Sequence, residues 1–313
     1  MPRRDTQVVT RAVGCSAYIL DRTIWGRDYG WPCLKVRVTR HGIDLLAICG
    51  YHERSGVEMK IKVLGCSGGE FPRHRPPSFL LNGGIVFDTG SLSNVLDIRG
   101  QLRIKHIFIT HSHLDHVMGI PFIADNLLCS GKSYGVNIIG IPTVIEALRK
   151  NLLDGSIWPD FSVIPGKHGA LLNLTELKPG QSTEIAPYSI TPYEVNHSVP
   201  ASGYLVEDKR KRRLFYTGDT GPCDSTWEQI GEKQIHCLII ETSFPNRMEE
   251  LAVKTGHLTP QLLQKEISKI RQPPAKIYAT HPKPQYLNII KKELQKLKLK
   301  NLRLLRGGDL ITV

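Results

Sequence analysis

The stretch Thr110-His111-Ser112-His113-Leu114-Asp115-His116 decides how this chain is read. It follows an apolar run ending at Ile109, rich in Ile and Phe, that predicts a buried strand over residues 104–110. Three imidazoles and a carboxylate then fall within six residues, in a chain with 12 histidines in all. A strand end feeding a turn can aim His111 and His113 into one pocket while Asp115 and His116 approach from a neighbouring direction. A single segment can thus supply ligands to two metal ions. Chance clustering of histidines on a surface loop is the competing explanation, and the position at a strand end weighs against it.

Outward from this motif, the chain alternates strand and helix signals. Residues 59–65 read as a buried strand entering the glycine turn Gly65-Cys66-Ser67-Gly68-Gly69, and mark the start of a domain. Further strands are expected at 78–81, 85–88 and 136–139, with a helix at 143–153 opened by Pro142 and stopped by Gly155. The second half repeats the theme, with strands at 188–195, 203–207, 214–217, 237–241 and 276–280, and helices at 259–270 and 285–297. Two strand-rich halves flanked by helices predict an α/β sandwich. Residues 1–58 differ in texture, with three cysteines, two tryptophans, many arginines and no motif. Residues 59–313 are therefore expected to form the functional domain. The extension 1–58 is expected to be poorly ordered or to precede a genuine start at Met59, with a small partner-binding module as the alternative.

The hexapeptide HSHLDH resembles the H-x-H-x-D-H signature of the metallo-β-lactamase superfamily. That resemblance implies an αββα sandwich with a dinuclear metal site at one edge, and further ligands from later strand ends. Candidates arrive in order: His197 in Tyr193-Glu194-Val195-Asn196-His197-Ser198, Asp219 in Thr217-Gly218-Asp219-Thr220, and His281 in Ala279-Thr280-His281-Pro282. Taken singly, each has a bland explanation. A histidine after a strand is more often structural, and a Gly-Asp-Thr turn is a common surface feature. By the resemblance, His111, His113 and His197 hold one divalent ion, Asp115, His116 and His281 the other, and Asp219 bridges both. Asp88, in Phe87-Asp88-Thr89-Gly90, would orient ligands without binding metal. Nitrogen and oxygen donors of this kind suit zinc, with manganese or iron compatible.

Two later segments, Ile240-Glu241-Thr242-Ser243-Phe244-Pro245-Asn246 and Thr255-Gly256-His257-Leu258-Thr259-Pro260, resemble the class II cyclic nucleotide phosphodiesterases, as does His281-Pro282-Lys283-Pro284. The tRNA 3′-processing endonucleases, RNase Z-like enzymes, are similar in pattern. The implied reaction is hydrolysis of a 3′,5′-cyclic nucleotide, cyclic AMP or cyclic GMP, to a nucleoside 5′-monophosphate. A metal-bridging hydroxide would attack, oriented by Asp115 and Asp219, with His257 as the acid for the departing oxygen. His257 also has a structural explanation as the neighbour of a helix capped by Thr259 and opened by Pro260, and the two roles are compatible. Precursor tRNA is the alternative substrate, and a non-catalytic metal-binding scaffold is a third, weaker possibility. The endonucleases clasp tRNA with a glycine- and basic-rich arm, for which Pro165-Gly166-Lys167-His168-Gly169 is only a short candidate.

Composition adds limits. A formal charge of +12 favours polyanionic partners without proving one. Much of the excess lies in Lys209-Arg210-Lys211-Arg212-Arg213 and in Lys291-Lys292, Lys296, Lys298 and Lys300, expected as a solvated hairpin tip and a solvated helix face. Seven cysteines, odd in number and without a C-x-x-C pair, argue against a disulfide framework or a cysteine-bound zinc and point to the cytoplasm. No run approaches the roughly 18 apolar residues of a membrane span. A homodimer is compatible with the family resemblance.

Overall fold

Alternation of apolar side chains along the strands sets the layering of this protein. The computed structural model describes residues 58–131, 135–166 and 169–313, and the backbone of two antiparallel hairpins within 1–57: Ala17–Leu20 with Thr23–Gly26, and Lys35–Thr39 with Gly42–Leu46. The chain divides into two units, Met1–Val57 and Glu58–Val313. The expectation of disorder in residues 1–58 otherwise lies outside the described residues.

The larger unit holds two seven-stranded sheets. The first contains β1 (Lys60–Gly65), β2 (Ser78–Leu81), β3 (Ile85–Phe87), β4 (His106–Phe108), β5 (Val136–Gly140) and β6 (Leu172–Glu176). The second runs in sequence order through β7 (Thr183–Ile185), β8 (Tyr188–Val195), β9 (Ala201–Asp208), β10 (Arg213–Tyr216), β11 (Cys237–Glu241), β12 (Lys276–Thr280) and β13 (Leu302–Leu304). The chain then returns to the first sheet, where β14 (Leu310–Thr312) pairs antiparallel with β1.

Successive residues of one strand point to opposite faces. Phe108 therefore enters the layer between the sheets, while Ile107 and Ile109 face the helices Gly119–Cys129 and Pro142–Asn151. In β11, Cys237 and Ile239 face the inter-sheet layer, and Leu238 and Ile240 pack under the helices Pro260–Ser268 and Leu287–Lys296. Three apolar layers between four layers of structure make an αββα sandwich, as expected from the sequence. Burying an Ile or Leu side chain in such a layer contributes roughly 1.5–3 kcal/mol.

Between the sheets the filling is largely aromatic. Phe87 and Phe108 stack at 5.5 Å, Tyr204 meets Phe108 edge-on at 5.2 Å, and Tyr216 lies 4.8 Å from Phe79. Buried phenols need acceptors, so Tyr204 donates to the Ile109 carbonyl at 2.7 Å and Tyr216 to Asp88 Oδ2 at 2.7 Å. Both bonds cross from one sheet to the other just below the histidine motif.

The parallel strands β3 and β4 in one sheet and β10 to β12 in the other end at the same edge of the sandwich. The hairpin between β9 and β10 carries the basic run at 209–213, but it is less free than expected. Arg212 pairs with Asp208 at 2.7 Å, Lys211 with Glu207 at 2.6 Å, and Arg213 also with Glu207. Among the described residues no helix is long and apolar enough to cross a membrane.

Candidate metal centre

The edge shared by the two sheets gathers every candidate ligand. His111 leaves β4, and the short helix Leu114–Val117 turns Asp115 and His116 back toward it. His197, Asp219 and His281 follow β8, β10 and β12. Ligand atoms of His111, His113 and His197 lie within 4.8 Å of one another, as do those of Asp115, His116 and His281, and those of His111, His116 and Asp219. His113 Nδ1 is 3.1 Å from both His111 Nε2 and His197 Nε2. Asp219 faces both groups: Oδ1 is 3.4 Å from His116 Nε2, and Oδ2 is 3.3 Å from His281 Nε2 and 3.8 Å from His111 Nε2.

The far nitrogen of each ring shows which atom is left for a ligand. His116 Nδ1 donates to Asp88 Oδ2 at 2.8 Å, while its Nε2 is buried with no hydrogen-bond partner. His197 Nδ1 donates to the Gly256 carbonyl at 2.8 Å, and His281 Nδ1 to Ser243 Oγ at 2.9 Å. An orphaned buried nitrogen beside the Asp115 and Asp219 carboxylates and the His111 and His281 rings costs free energy unless something accepts its lone pair. A divalent cation fits that need, and the donor set of nitrogens and carboxylate oxygens suits it.

Burial opposes the charge on Asp219 and Asp115, but the imidazoles of His281 and His116 outweigh it and hold both carboxyls well below the usual range. His111, His113 and His197 are pushed down, first by burial and then by the neighbouring imidazoles, with Asp219 pulling the other way. His116 runs the other way: burial opposes its charge, but the Asp219 and Asp88 carboxylates outweigh burial and the net shift is upward. Ionised carboxylates beside neutral imidazoles are the states in which these side chains bind metals, so a cation at His116 must displace its second proton.

Asp88 lies behind this layer. Its Oδ1 accepts from the Thr110 backbone N–H at 2.9 Å, and its Oδ2 accepts from Tyr216 and His116. Both Asp88, at φ 55°, and His281, at φ 63°, adopt the left-handed conformation, which is costly outside glycine and is held here by the surrounding bonds. Asp88→Asn keeps the shape but can no longer accept from all three donors. It is expected to weaken metal binding by about 10–100-fold with the fold intact, measured by competition with a chromogenic chelator.

Gly218, directly before Asp219, has a φ of 62°, and a Cβ there would sit 2.7 Å from Thr110 Cβ. Gly218→Ala forces the left-handed conformation on a side chain that also clashes. A fall in melting temperature of at least about 2 °C is expected, together with reduced metal content.

A second group lies beside the first. His257 Nδ1 donates to Glu241 Oε1 at 2.6 Å, leaving Nε2 free, and His257 stacks on His281 with ring centroids 5.7 Å apart. Thr259 caps the following helix by accepting from Leu262 N–H. Burial alone would lower the His257 pKa; the Glu241 carboxylate outweighs it, and the net shift is upward. Ser243 donates to Glu241 Oε2 at 2.9 Å while accepting from His281, so one buried carboxylate steadies both imidazoles. Glu241 and Ser243 were quoted in the sequence without a role. Their signal was a carboxylate at the end of a wholly apolar strand, which cannot be buried without a charged partner. Lys167 and His168 of the candidate basic arm lie outside the described residues.

A domain of this architecture with clustered His and Asp side chains at the sheet edge is of the metallo-β-lactamase type. The chain matches the family model described as a beta-lactamase superfamily domain over residues 88–281, more than half its length, and belongs to that family. It is 30% identical over 186 residues to a probable 3′,5′-cyclic-nucleotide phosphodiesterase from Yersinia pestis, covering 54% of this chain and 52% of that protein. It is also 30% identical over 134 residues to a ribonuclease Z from Pyrococcus abyssi, covering 42% of this chain and 41% of that one. The chain spans about half the length of the curated relatives it matches. The crystal structure of unliganded yeast PDE1 superposes with a TM-score of 0.71 at 19% identity, over 82% of this chain and 100% of that chain.

Proposed function

We propose that this chain is a metal-dependent phosphodiesterase that hydrolyses 3′,5′-cyclic nucleotides to nucleoside 5′-monophosphates. The observation that carries this reading is the His257–Glu241 pair, held at 2.6 Å beside the ligand cluster, which supplies an acid where a leaving oxygen must be protonated. Likeness to the Yersinia pestis phosphodiesterase supports the substrate class.

In this reading His111, His113 and His197 hold one ion, Asp115, His116 and His281 hold the other, and Asp219 serves both. Zinc is the metal best matched to the donors. Two bound divalent ions would polarise the phosphoryl oxygens, offset the charge developing on them and acidify water at the site. The protein's own groups do the rest. Asp115 and Asp219 accept hydrogen bonds that orient the attacking water. His257, its Nδ1 committed to Glu241, presents Nε2–H to the departing 3′ oxygen and transfers that proton as the phosphorus–oxygen bond breaks. Asp88 keeps His116 in the tautomer with Nε2 free. Residues 59–313 would carry this activity and 1–58 would be its extension, in a cytoplasmic protein that can pair as a homodimer.

A second reading, cleavage of precursor tRNA, is favoured by the net charge of +12 and by likeness to the Pyrococcus abyssi ribonuclease Z. The deciding experiment measures 5′-AMP released from cyclic AMP by the zinc- or manganese-loaded protein beside His113→Ala. Turnover that disappears in the variant and on chelation, and returns on adding metal, supports the phosphodiesterase. A metal-loaded protein inert to cyclic nucleotides but active on precursor tRNA overturns it.

A further inference from the structure

Away from the histidine cluster, a groove of about 840 Å³ runs between the helix Leu287–Lys296, the edge strand β13 and the segment leading out of β1. Its walls carry Arg73, Arg75, Lys291, Lys298, Arg303 and Arg306, with His74 among them, and no aspartate or glutamate. None of these six side chains is in an ion pair among the described residues. The contrast with the β9–β10 hairpin is direct, since Lys211, Arg212 and Arg213 there are neutralised by Glu207 and Asp208. The lysines of the last helix are therefore not simply a solvated face: Lys291, together with Lys298 just beyond the helix, looks into a concavity.

Six like charges around one hollow repel each other, and that repulsion is relieved when an anion carrying several charges sits among them. Arginine forks match phosphate oxygens in bidentate geometry. The wall between the cations is apolar, built from Leu64, Leu287, Leu294 and Leu299, so a wholly ionic occupant would leave much of it uncovered. The volume falls within the roughly 300–1,000 Å³ typical of small-molecule sites. We propose that this groove binds a small polyphosphorylated molecule of the nucleoside di- or triphosphate class, its phosphates on the Arg and Lys rim and its planar body against the leucines.

The proposed site is distinct from the metal centre and independent of which phosphodiester that centre cleaves. The two are nonetheless joined through the backbone. Cys66 and Ser67 line the groove, the Cys66 carbonyl accepts from His281 N–H at 2.7 Å, and Gly68 N–H donates to the Pro282 carbonyl at 3.1 Å.

Titration calorimetry of the full chain with ATP, AMP and inorganic tripolyphosphate tests the proposal. Saturable ATP binding is expected, with AMP at least about tenfold weaker because it offers fewer charges to the rim. Tripolyphosphate should displace ATP. Lys291→Glu/Arg303→Glu should weaken ATP at least tenfold, and Arg73→Gln/Arg75→Gln on the facing wall provides a second variant should the first fail to fold. Asp219→Ala, once circular dichroism and a thermal melt show it folded, should leave ATP binding unchanged. Absence of saturable ATP binding, wild-type binding in both groove variants, or loss of binding in folded Asp219→Ala alone would overturn the assignment. So would tight binding of a single-stranded oligonucleotide that ATP fails to displace.

Discussion

Asp219→Ala is expected to lower phosphodiester hydrolysis by on the order of 10³-fold or more and to strip metal from the protein. Asp219 faces both groups of imidazoles: its oxygens lie 3.4 Å from His116 Nε2 and 3.3 and 3.8 Å from His281 and His111 Nε2. Removing it leaves those nitrogens gathered without the anion that offsets a cation's charge. Metal analysis and a thermal melt should be run together, because a buried carboxylate in a preassembled site also restrains the fold. A variant that keeps its metal and hydrolyses within tenfold of wild type would refute the assignment of Asp219. Asp219→Glu should recover little, since an added methylene pushes the carboxylate into a space already closed by His111, His116 and His281.

The second large effect belongs to His257, the proposed proton donor. His257→Ala is expected to reduce kcat by about 10²–10⁴-fold while metal content stays at the wild-type level. Retained metal separates this variant from a ligand loss. Leaving-group dependence separates an acid from a structural residue: a substrate losing p-nitrophenolate needs little protonation, so the variant should lose far less on it than on cyclic AMP. An equal loss on both would reduce His257 to a packing role. Glu241→Gln should show a partial defect of the same kind, because the carboxylate that raises the His257 pKa and fixes its Nδ1 is replaced by a neutral amide. That substitution also weakens the Ser243 link to His281, so some metal loss is expected as well.

Strands with a dense period of Ile, Val and Phe were legible from the chain. Residues 78–81, 188–195, 237–241 and 276–280 form strands with the expected bounds. The helix Gly119–Cys129 was not read, since Gly119 and Pro121 look like breakers. Proline is tolerated in the first turn, where its missing N–H is not needed, and Ile120, Ile123, Ala124 and Leu127 then form the buried face. Leu310–Thr312 could not be read as a strand because its partner among the described residues is β1, about 250 residues earlier in the chain.

At the site, the cluster His111, His113, Asp115 and His116 announced itself through residue type at a strand end, whereas His197, Asp219 and His281, each bland when taken singly, were picked out only by the family resemblance and the order it implies. Their grouping in space was not legible. Only the packing of the two sheets brings residues 111, 197, 219 and 281 together, and only the hydrogen bonds of Asp88, Gly256 and Ser243 select which nitrogen of each ring points inward. The role of Glu241 and the contrast between the paired cations of the hairpin and the unpaired ones of the groove likewise belong to the tertiary structure. Local sequence determines which groups a strand end can offer, through side-chain chemistry and period. Which of them meet, and what burial does to their charges, depends on contacts between segments far apart in the chain, where distance and desolvation set the energies.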